Sequence, residues 1–442
     1  MSMAARQMKL GAFLMGVGHH LAAWLHPAVH PQDLTELAHY TRLAQTAEAA
    51  KFDALFLADN VAALGEGPLA EQIAPVYYLE PLTLLAALAP VTQQIGLVAT
   101  VSATYFPPYH LARKFASLDQ ISGGRAGWNC VTSASDREAR NFGLDAQLDH
   151  ADRYARAHEY LDVVRALWDS WDDDALLFDQ GGRRFFDAAK VRPIDHVGAH
   201  FRVAGPSQSG RPVQGHPVIA QAGSSADGIK LAGATAEIVF TAQQSLDDAL
   251  TFAEAVRAAA VAAGRTRDAV VILPGIMPFV AETTEQAQAL HDELQDLVDP
   301  RIGLGLVSAL MGWDLSGYPL DGPVPEAPTT NGWQSRQKLF VDTARAEGLS
   351  IRQLVARVAS ARGHKVVIGT PAQVADELEA WFVAGAADGF NILPPTLPAG
   401  LDAFARLVIP ELQRRGLFRT EYEGSTLREH LGLERPPARL AA

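Results

Sequence analysis

Five consecutive residues, Gln221-Ala222-Gly223-Ser224-Ser225, join an apolar run to a segment with helical spacing. Unpaired backbone N–H groups at a helix start, the helix dipole and two hydroxyls together suit a phosphate or another small anion. Gly223 lets a ligand come close to the backbone. The same residues would also serve as a plain N-cap, through Ser224 or Ser225, with no ligand at all. His150 and Tyr154 are four apart, so they share one face of a helix near its start; taken alone, they read equally as a capped and packed helix. Asp59 and Thr100 each stand at the end of a short apolar run, where they can contact the edge of a ligand. Their plainer readings are a turn cap and a β-branched strand residue.

A longer constellation runs from Ile121 to Ser133. Gly123-Gly124 stops a helix and turns the chain. Arg125 to Val131 then reads as a buried strand that is polar only near its C-terminal end. There Asn129, Thr132 and Ser133 can hydrogen-bond a ligand without filling its space, as the mouth of a β/α barrel requires. Cys130, the single cysteine, lies inside this run. It excludes an intrachain disulfide and a zinc–cysteine site, and it fits a reducing compartment. A buried structural role is favoured over a nucleophile, because reactivity needs a lowered pKa.

Other chemistry is missing from the sequence. There is no Gly-x-x-x-x-Gly-Lys-[Ser/Thr], no Gly-x-Gly-x-x-Gly after a strand, no Gly-x-Ser-x-Gly and no His-Glu-x-x-His. These absences argue against a P-loop, a dinucleotide fold, a hydrolase elbow and a zinc site. The formal net charge of -13 argues against a nucleic-acid surface, which needs clustered Lys and Arg.

The elements that must position these residues alternate along the chain. Strands are expected at Leu10 to Val17, Ala54 to Ala58, Ile95 to Val101, Arg125 to Val131, Val218 to Gln221, Ile238 to Thr241, Val270 to Val280 and Gly389 to Leu393. Helices are expected between them, including Thr35 to Ala50, Leu111 to Gln120, Asp149 to Ser170 and Leu246 to Ala263. Another, Thr283 to Leu297, is capped by Thr283 with Gln286 three residues on. Short buried strands alternating with amphipathic helices imply parallel βα units, and the fold expected is an α/β (β/α)8 barrel. It is read as one domain, 1–442, with insertions at about 172–205 and 299–349. The first insertion suggests a hairpin. The second, rich in Gly and Pro, reads as an irregular lid over the mouth, with a passive excursion or an oligomer contact as the alternative. Met8 to Val17 is too short to span a membrane and has no plausible cleavage site, so a cytoplasmic location is expected.

Several of these stretches together resemble the nitrilotriacetate monooxygenase component A family. They are Ile121 to Gly143, Phe56-Leu57-Ala58-Asp59, Ile95 to Thr100, Tyr154 to Trp168, Gln221 to Ser225 and Asp388-Gly389-Phe390. The family groups nitrilotriacetate, dibenzothiophene-sulfone and pristinamycin monooxygenases within the bacterial-luciferase-like flavin-dependent monooxygenases. The likeness runs from about Leu10 to Leu433. It implies a luciferase-like TIM barrel working in a two-component system. A separate NAD(P)H:flavin reductase would supply FMNH2 by diffusion, and dioxygen would be the co-substrate. The reaction implied is oxygenation of a small N- or S-containing compound, with C–N or C–S cleavage. The resemblance also implies FMN contacts for Asp59, Thr100, His150, Tyr154 and Ser224, with Ser225 beside it. His19, His20, Trp24, Asn129 and Thr132 are the candidates for substrate contact or proton handling. No metal, membrane or nucleic-acid partner is expected, and a homodimer or homotetramer is. The alternatives are an F420-dependent dehydrogenase on the same barrel, a non-catalytic flavin-binding protein and a metal-dependent barrel hydrolase, whose ligands are missing from the expected strand ends.

Overall fold

The short apolar runs become parallel strands, most of them followed by a helix that covers their outer face. The computed structural model describes residues 6–63, 72 and 79–438; the stretch from Asn60 to Pro75, whose Gly and Pro content reads as a loop, lies mostly outside the described residues. The first four strands are β1 (Lys9–Leu14), β2 (Ala54–Leu57), β3 (Gly96–Ser102) and β4 (Ala126–Val131). Two small hairpins follow, β5 (Leu176–Asp179) with β6 (Arg184–Phe186) and β7 (His196–Val197) with β8 (Arg202–Val203). Then come β9 (Val218–Gln221), β10 (Ile238–Thr241), β11 (Val271–Val280), β12 (Lys365–Gly369) and β13 (Gly389–Ile392). Strands β1, β2, β3, β4, β9, β10, β11 and β13 pair in that order, all parallel, and β13 closes onto β1. The expected eight-stranded barrel is borne out.

Strand periodicity sorts the side chains. In β2, Ala54 and Phe56 join the inner cluster with Phe13, Val98 and Phe240, whereas Leu55 and Leu57 join the outer layer under the helices. In β4 the same alternation sends Trp128 and Cys130 outward. Asn129, between them, points inward and donates from Nδ2 to Thr100 Oγ1 at 2.9 Å. Cys130 is buried, and burial pushes its thiol pKa up, which fits a structural cysteine and not a nucleophile.

Helix ends match the local chemistry read from sequence. Helix Pro108–Ser122 stops at Gly123, which is left-handed at φ 68, and Gly124 follows at φ 92. Thr283 and Gln286 form the capping box of helix Thr284–Asp296. The chain's last helix, Leu427–Leu431, plugs the barrel's N-terminal end. Leu427 fills the space that a Cβ at Gly96 or Gly127 would occupy.

The structure adds one strand and corrects one expectation. Lys365–Gly369 is a strand, β12, which pairs with Ile276 to Val280 in the second half of β11. The segment 299–349 is not mainly irregular: it contains helices Pro300–Met311 and Gln334–Glu347. These pack with helix Ile351–Ala361 around a separate core that includes Leu306, Met311, Phe340 and Val358. The Gly and Pro residues mislead because most fall in the connection between the helices. Gly303 lies inside the first helix and leaves room for Val355, whose Cγ1 would stand 2.4 Å from a Cβ there.

Candidate active site

A cleft opens at the C-terminal ends of the strands, where β/α barrels carry their chemistry. Its wall includes Asp59 and Asn60 after β2, Thr132 and Ser133 after β4, His150 and Tyr154 from helix His150–Trp168, and the turn Gln221 to Ser225 after β9. Gly332 to Ser335 of the long insertion complete it. Of the residues implied as cofactor contacts, five line this cleft together: Asp59, His150, Tyr154, Ser224 and Ser225. Thr100 lies beneath it, buried and bonded to Asn129.

The turn after β9 is shaped for close approach. Gly223 N–H donates to Gln221 Oε1 at 2.8 Å. A Cβ on Gly223 would stand 2.5 Å from Gln221 Nε2 and 2.8 Å from the Tyr154 hydroxyl, so a side chain there would displace both groups. Helix Ala226–Thr235 starts here, with Ser225 Oγ accepting from Gly228 N–H at 3.2 Å. Ser225 is thus an N-cap, as its plainer reading held. Ser224 Oγ lies 3.3 Å from Thr241 Oγ1 at the end of β10. The His150 and Tyr154 rings lie 4.8 Å apart between centres and are tilted at 44°, and His150 Nδ1 is 3.2 Å from Asp227 Oδ2 in the first turn of the helix opposite. Burial raises the Tyr154 pKa, against the nearby hydroxyls of Ser225 and Thr132. Tyr154 therefore stays a neutral hydroxyl that can donate.

Asp59 is pushed up to about 6, first by burial, with the Asn60 N–H opposing and the Glu80 and Glu138 charges adding to the rise. The turn after β4 is held by Glu138, a buried residue that composition alone did not single out. Its Oε2 accepts from Ala134 N–H and Ser135 N–H at 3.0 and 3.1 Å, and its Oε1 lies 3.0 Å from Ser133 Oγ. Ser133 is left-handed at φ 55, a conformation a non-glycine residue holds only when its surroundings over-determine it.

The remaining candidates separate. Thr132 lines the cleft and Asn129 lies below it. His19 is buried at the barrel mouth, 4.3 Å from the Phe13 ring, with Nε2 3.0 Å from Phe13 O and Nδ1 unpartnered. Burial, then the Arg362 charge, lower it to about 3. His20 turns elsewhere: its Nδ1 accepts from Ala22 N–H at 3.2 Å, and burial, then His291 and Arg362, also lower it to about 3. Both imidazoles are neutral at physiological pH and cannot serve as general acids there. Trp24 sits half-buried in the 3-10 turn Ala23–Leu25, and neither it nor the two histidines is among the residues lining the cleft.

Sequence reading missed Arg153 and the Trp333 to Ser335 stretch. Arg153 Nη2 donates to Asn331 O at 2.8 Å and its Nη1 to Leu148 O at 3.3 Å, which ties the insertion to the helix that carries His150 and Tyr154. A buried Arg at helical spacing from His150 was the available signal.

A closed parallel barrel with a cleft at its strand C-termini, and a hydroxyl-flanked helix N-terminus in that cleft, defines a barrel enzyme suited to a phosphate-bearing ligand. The family model for luciferase-like monooxygenases matches residues 8–388. The chain belongs to that family and is a flavin-dependent monooxygenase. It is 49% identical to nitrilotriacetate monooxygenase component A of Aminobacter aminovorans, across 98% of both chains. It is 47% identical to N-acetyl-S-(2-succino)cysteine monooxygenase of Bacillus subtilis (strain 168), across 100% of both. Among solved structures it resembles a riboflavin lyase with modified FMN and riboflavin, with TM-score 0.90 and 32% identity over 98% of this chain and 97% of that one. The family expected from sequence is borne out. No helix among the described residues is long and apolar enough to cross a membrane.

Proposed function

We propose that this protein is the oxygenating component of a two-component system. It takes FMNH2 from a separate NAD(P)H:flavin reductase and uses dioxygen to oxygenate a small organic compound containing nitrogen or sulfur, with C–N or C–S cleavage. The observation that carries this reading is the convergence of Ser224, Ser225, Tyr154 and His150 on the N-terminus of helix Ala226–Thr235, at a turn where a Cβ on Gly223 would crowd Gln221 and Tyr154. The residues present fit the phosphate end of FMN: N–H groups, hydroxyls and a helix dipole favour an anion. A relative that is a component A, and a structural neighbour that contains modified FMN, support the same reading.

When bound, the reduced flavin supplies the electrons that activate dioxygen. The chain's own part is placement and exclusion. Ser224 and the first N–H groups of the helix bind the phosphate. The Tyr154 hydroxyl donates beside them. Asp59, pushed up to about 6, can hold a proton on its free carboxyl oxygen at mildly acidic pH. Trp333 to Ser335 cover the cleft and keep water from it.

The test compares FMN with riboflavin, which lacks the phosphate. Ser224→Ala should weaken FMN binding by about 0.5–1.5 kcal/mol, or as much as about 3 if the lost bond is charge-assisted, and should leave riboflavin unchanged. Equal losses for both would move Ser224 away from the phosphate. Reduction of F420 under anaerobic conditions would instead support the dehydrogenase alternative, and FMN binding without substrate-dependent oxygen consumption would support the non-catalytic one.

A further inference from the structure

The cleft holds a second set of donors besides the turn after β9. Helix Gln334–Glu347 of the long insertion starts in its wall, where Gln334 and Ser335 line it. The N-cap position is Trp333, whose side chain caps nothing. Serine, threonine, aspartate or asparagine there would satisfy one of the first N–H groups. Gln334 N–H donates to Gly332 O, and Arg336 and Gln337 N–H both donate to Trp333 O, each at 3.0 Å. The Ser335 N–H and hydroxyl are left without partners among the described residues.

Water can satisfy an open helix start, but here a buried cation stands beside it. Arg153 lines the same cleft and is 2% exposed. Its Nη1 and Nη2 donate to Leu148 O and Asn331 O at 3.3 and 2.8 Å. Asn331 lies just before the helix, so these bonds hold the guanidinium at the helix start. The Arg153 Nε is buried with no partner. Glu138, a carboxylate of the same cleft, acts on Arg153 only through space, because its own oxygens bond Ser133, Ala134 and Ser135. A buried donor without an acceptor is costly, and a ligand that accepts from it removes the cost.

The free donors are thus a guanidinium N–H, a peptide N–H and a hydroxyl, with the positive end of a helix behind them. Such a set fits the two oxygens of a carboxylate. It shares no bonded partner with the phosphate end of the cleft, where Ser224 meets Thr241, Ser225 meets Gly228 and His150 meets Asp227.

We propose that Arg153 and the start of helix Gln334–Glu347 bind a carboxylate of the substrate, so that the compound oxygenated is an organic acid held by the insertion while the turn after β9 holds the FMN phosphate. The functional meaning rests on the oxygenase reading. The FMN phosphate is the other source of an oxyanion, and the experiment separates the two.

Ser335→Asp places a negative charge in the first turn, where it suits the helix dipole and repels a bound anion. Ser335→Asn has the same shape without the charge. Wild type, both variants and Arg153→Gln are titrated calorimetrically with iminodiacetate and thiodiacetate and with their neutral dimethyl esters, at saturating oxidised FMN. FMN and riboflavin affinities are measured in parallel. Wild type should bind at least one diacid more tightly than its ester. Ser335→Asp should lose about 10- to 100-fold in affinity for that diacid, with the ester, FMN and riboflavin unaffected, and Ser335→Asn should stay closer to wild type. Arg153→Gln should also lose the diacid and keep the ester. The melting temperature of Ser335→Asp without ligand should equal or exceed that of wild type. A loss of FMN but not riboflavin affinity in Ser335→Asp would assign the donors to the phosphate and overturn the proposal. So would a wild type that prefers neither diacid to its ester, a Ser335→Asp or Arg153→Gln variant that binds the diacid as wild type does, equal losses for diacid and ester, or a lowered melting temperature of Ser335→Asp. Turnover is scored separately: diacids that bind here in wild type and yield no oxygenated product with FMNH2 and dioxygen would count against the oxygenase reading and leave the carboxylate site standing.

Discussion

The two segments that leave the barrel are built on opposite principles. The one around β5 to β8 forms two short hairpins that present Phe178, Phe185 and Val197 to solvent, at 61%, 65% and 74% exposure. It reaches the body through a few residues, chiefly Ile194, Phe201 and Val203. The one between β11 and β12 encloses its own core, in which Met311, Leu315 and Phe340 are almost wholly buried. It also sends Gly332 to Ser335 into the cleft wall. The difference is instructive. A side chain that must stand at a fixed place over a ligand needs a packed support behind it, whereas a segment that only covers surface does not. Possession of a core, more than length or glycine content, marks the insertion that serves the site.

The largest expected effect comes from removing that core. Phe340→Ala should cost about 3–5 kcal/mol, paid within the insertion, and hydrogen exchange across 300–361 should rise while the barrel strands stay protected. Coupling should suffer too, with more of the consumed oxygen appearing as hydrogen peroxide and less as product. Coupling identical to wild type would mean that the insertion is a surface or oligomer element despite its packing.

Cutting the tether comes next. Arg153→Met keeps the apolar stem and removes the hydrogen bonds to Leu148 O and Asn331 O. A loss of about 1.5–3 kcal/mol is expected if one charge-assisted bond dominates. The same shift towards peroxide should follow, without unfolding of the insertion's own core. If Phe340→Ala uncouples the reaction and Arg153→Met does not, placement depends on the core alone.

Much of this was legible in the sequence, and the exceptions have physical causes. All eight barrel strands were readable because apolar runs of four or more residues end at turn chemistry, as at Gly123-Gly124 and Thr283. The cleft turn at Gln221 to Ser225 was readable because an anion site is made from consecutive residues. The Arg153 tether was not, since its partner, the carbonyl of Asn331, lies 178 residues away along the chain. Strand β12 was passed over because its apolar run is only three residues long, Val366 to Ile368, between Lys365 and Gly369. The helices of 299–349 were obscured by the Gly and Pro residues of the connection between them, and by Gly303, which sits inside the first helix for a tertiary reason, the close approach of Val355.

A pH experiment sharpens the comparison, because Asp59 belongs to the mouth but not to either insertion. Burial raises its pKa in the folded chain to about 6, above the ordinary aspartate value of 3.8. The associated stability is therefore fully present below pH 4 and lost as pH rises through about 6. Asp59→Asn abolishes that loss. Relative to wild type it should gain about 1–3 kcal/mol between about pH 4 and pH 7, read from urea midpoints at fixed slope. The gain should be the same in a Phe340→Ala background, since separate sites add. A gain that vanishes there would show that the insertion creates the burial of Asp59.

The smallest effect is expected in the hairpins. Phe178 and Phe185 meet edge to face at 5.1 Å between ring centres, on the solvent side of β5 and β6. Such a pair can contribute about 0.5–1.5 kcal/mol when it is packed, but both rings here are more than half exposed. Phe178→Ser with Phe185→Ser should therefore shift unfolding by no more than about 0.5 kcal/mol and leave coupling unchanged, measured as the ratio of peroxide to product. Dilution supplies the discriminating control. A midpoint that falls sharply in the double variant, and more so at low protein concentration, would mean that these rings are buried between copies of the chain. The hairpin would then need no core of its own because a neighbour supplies one.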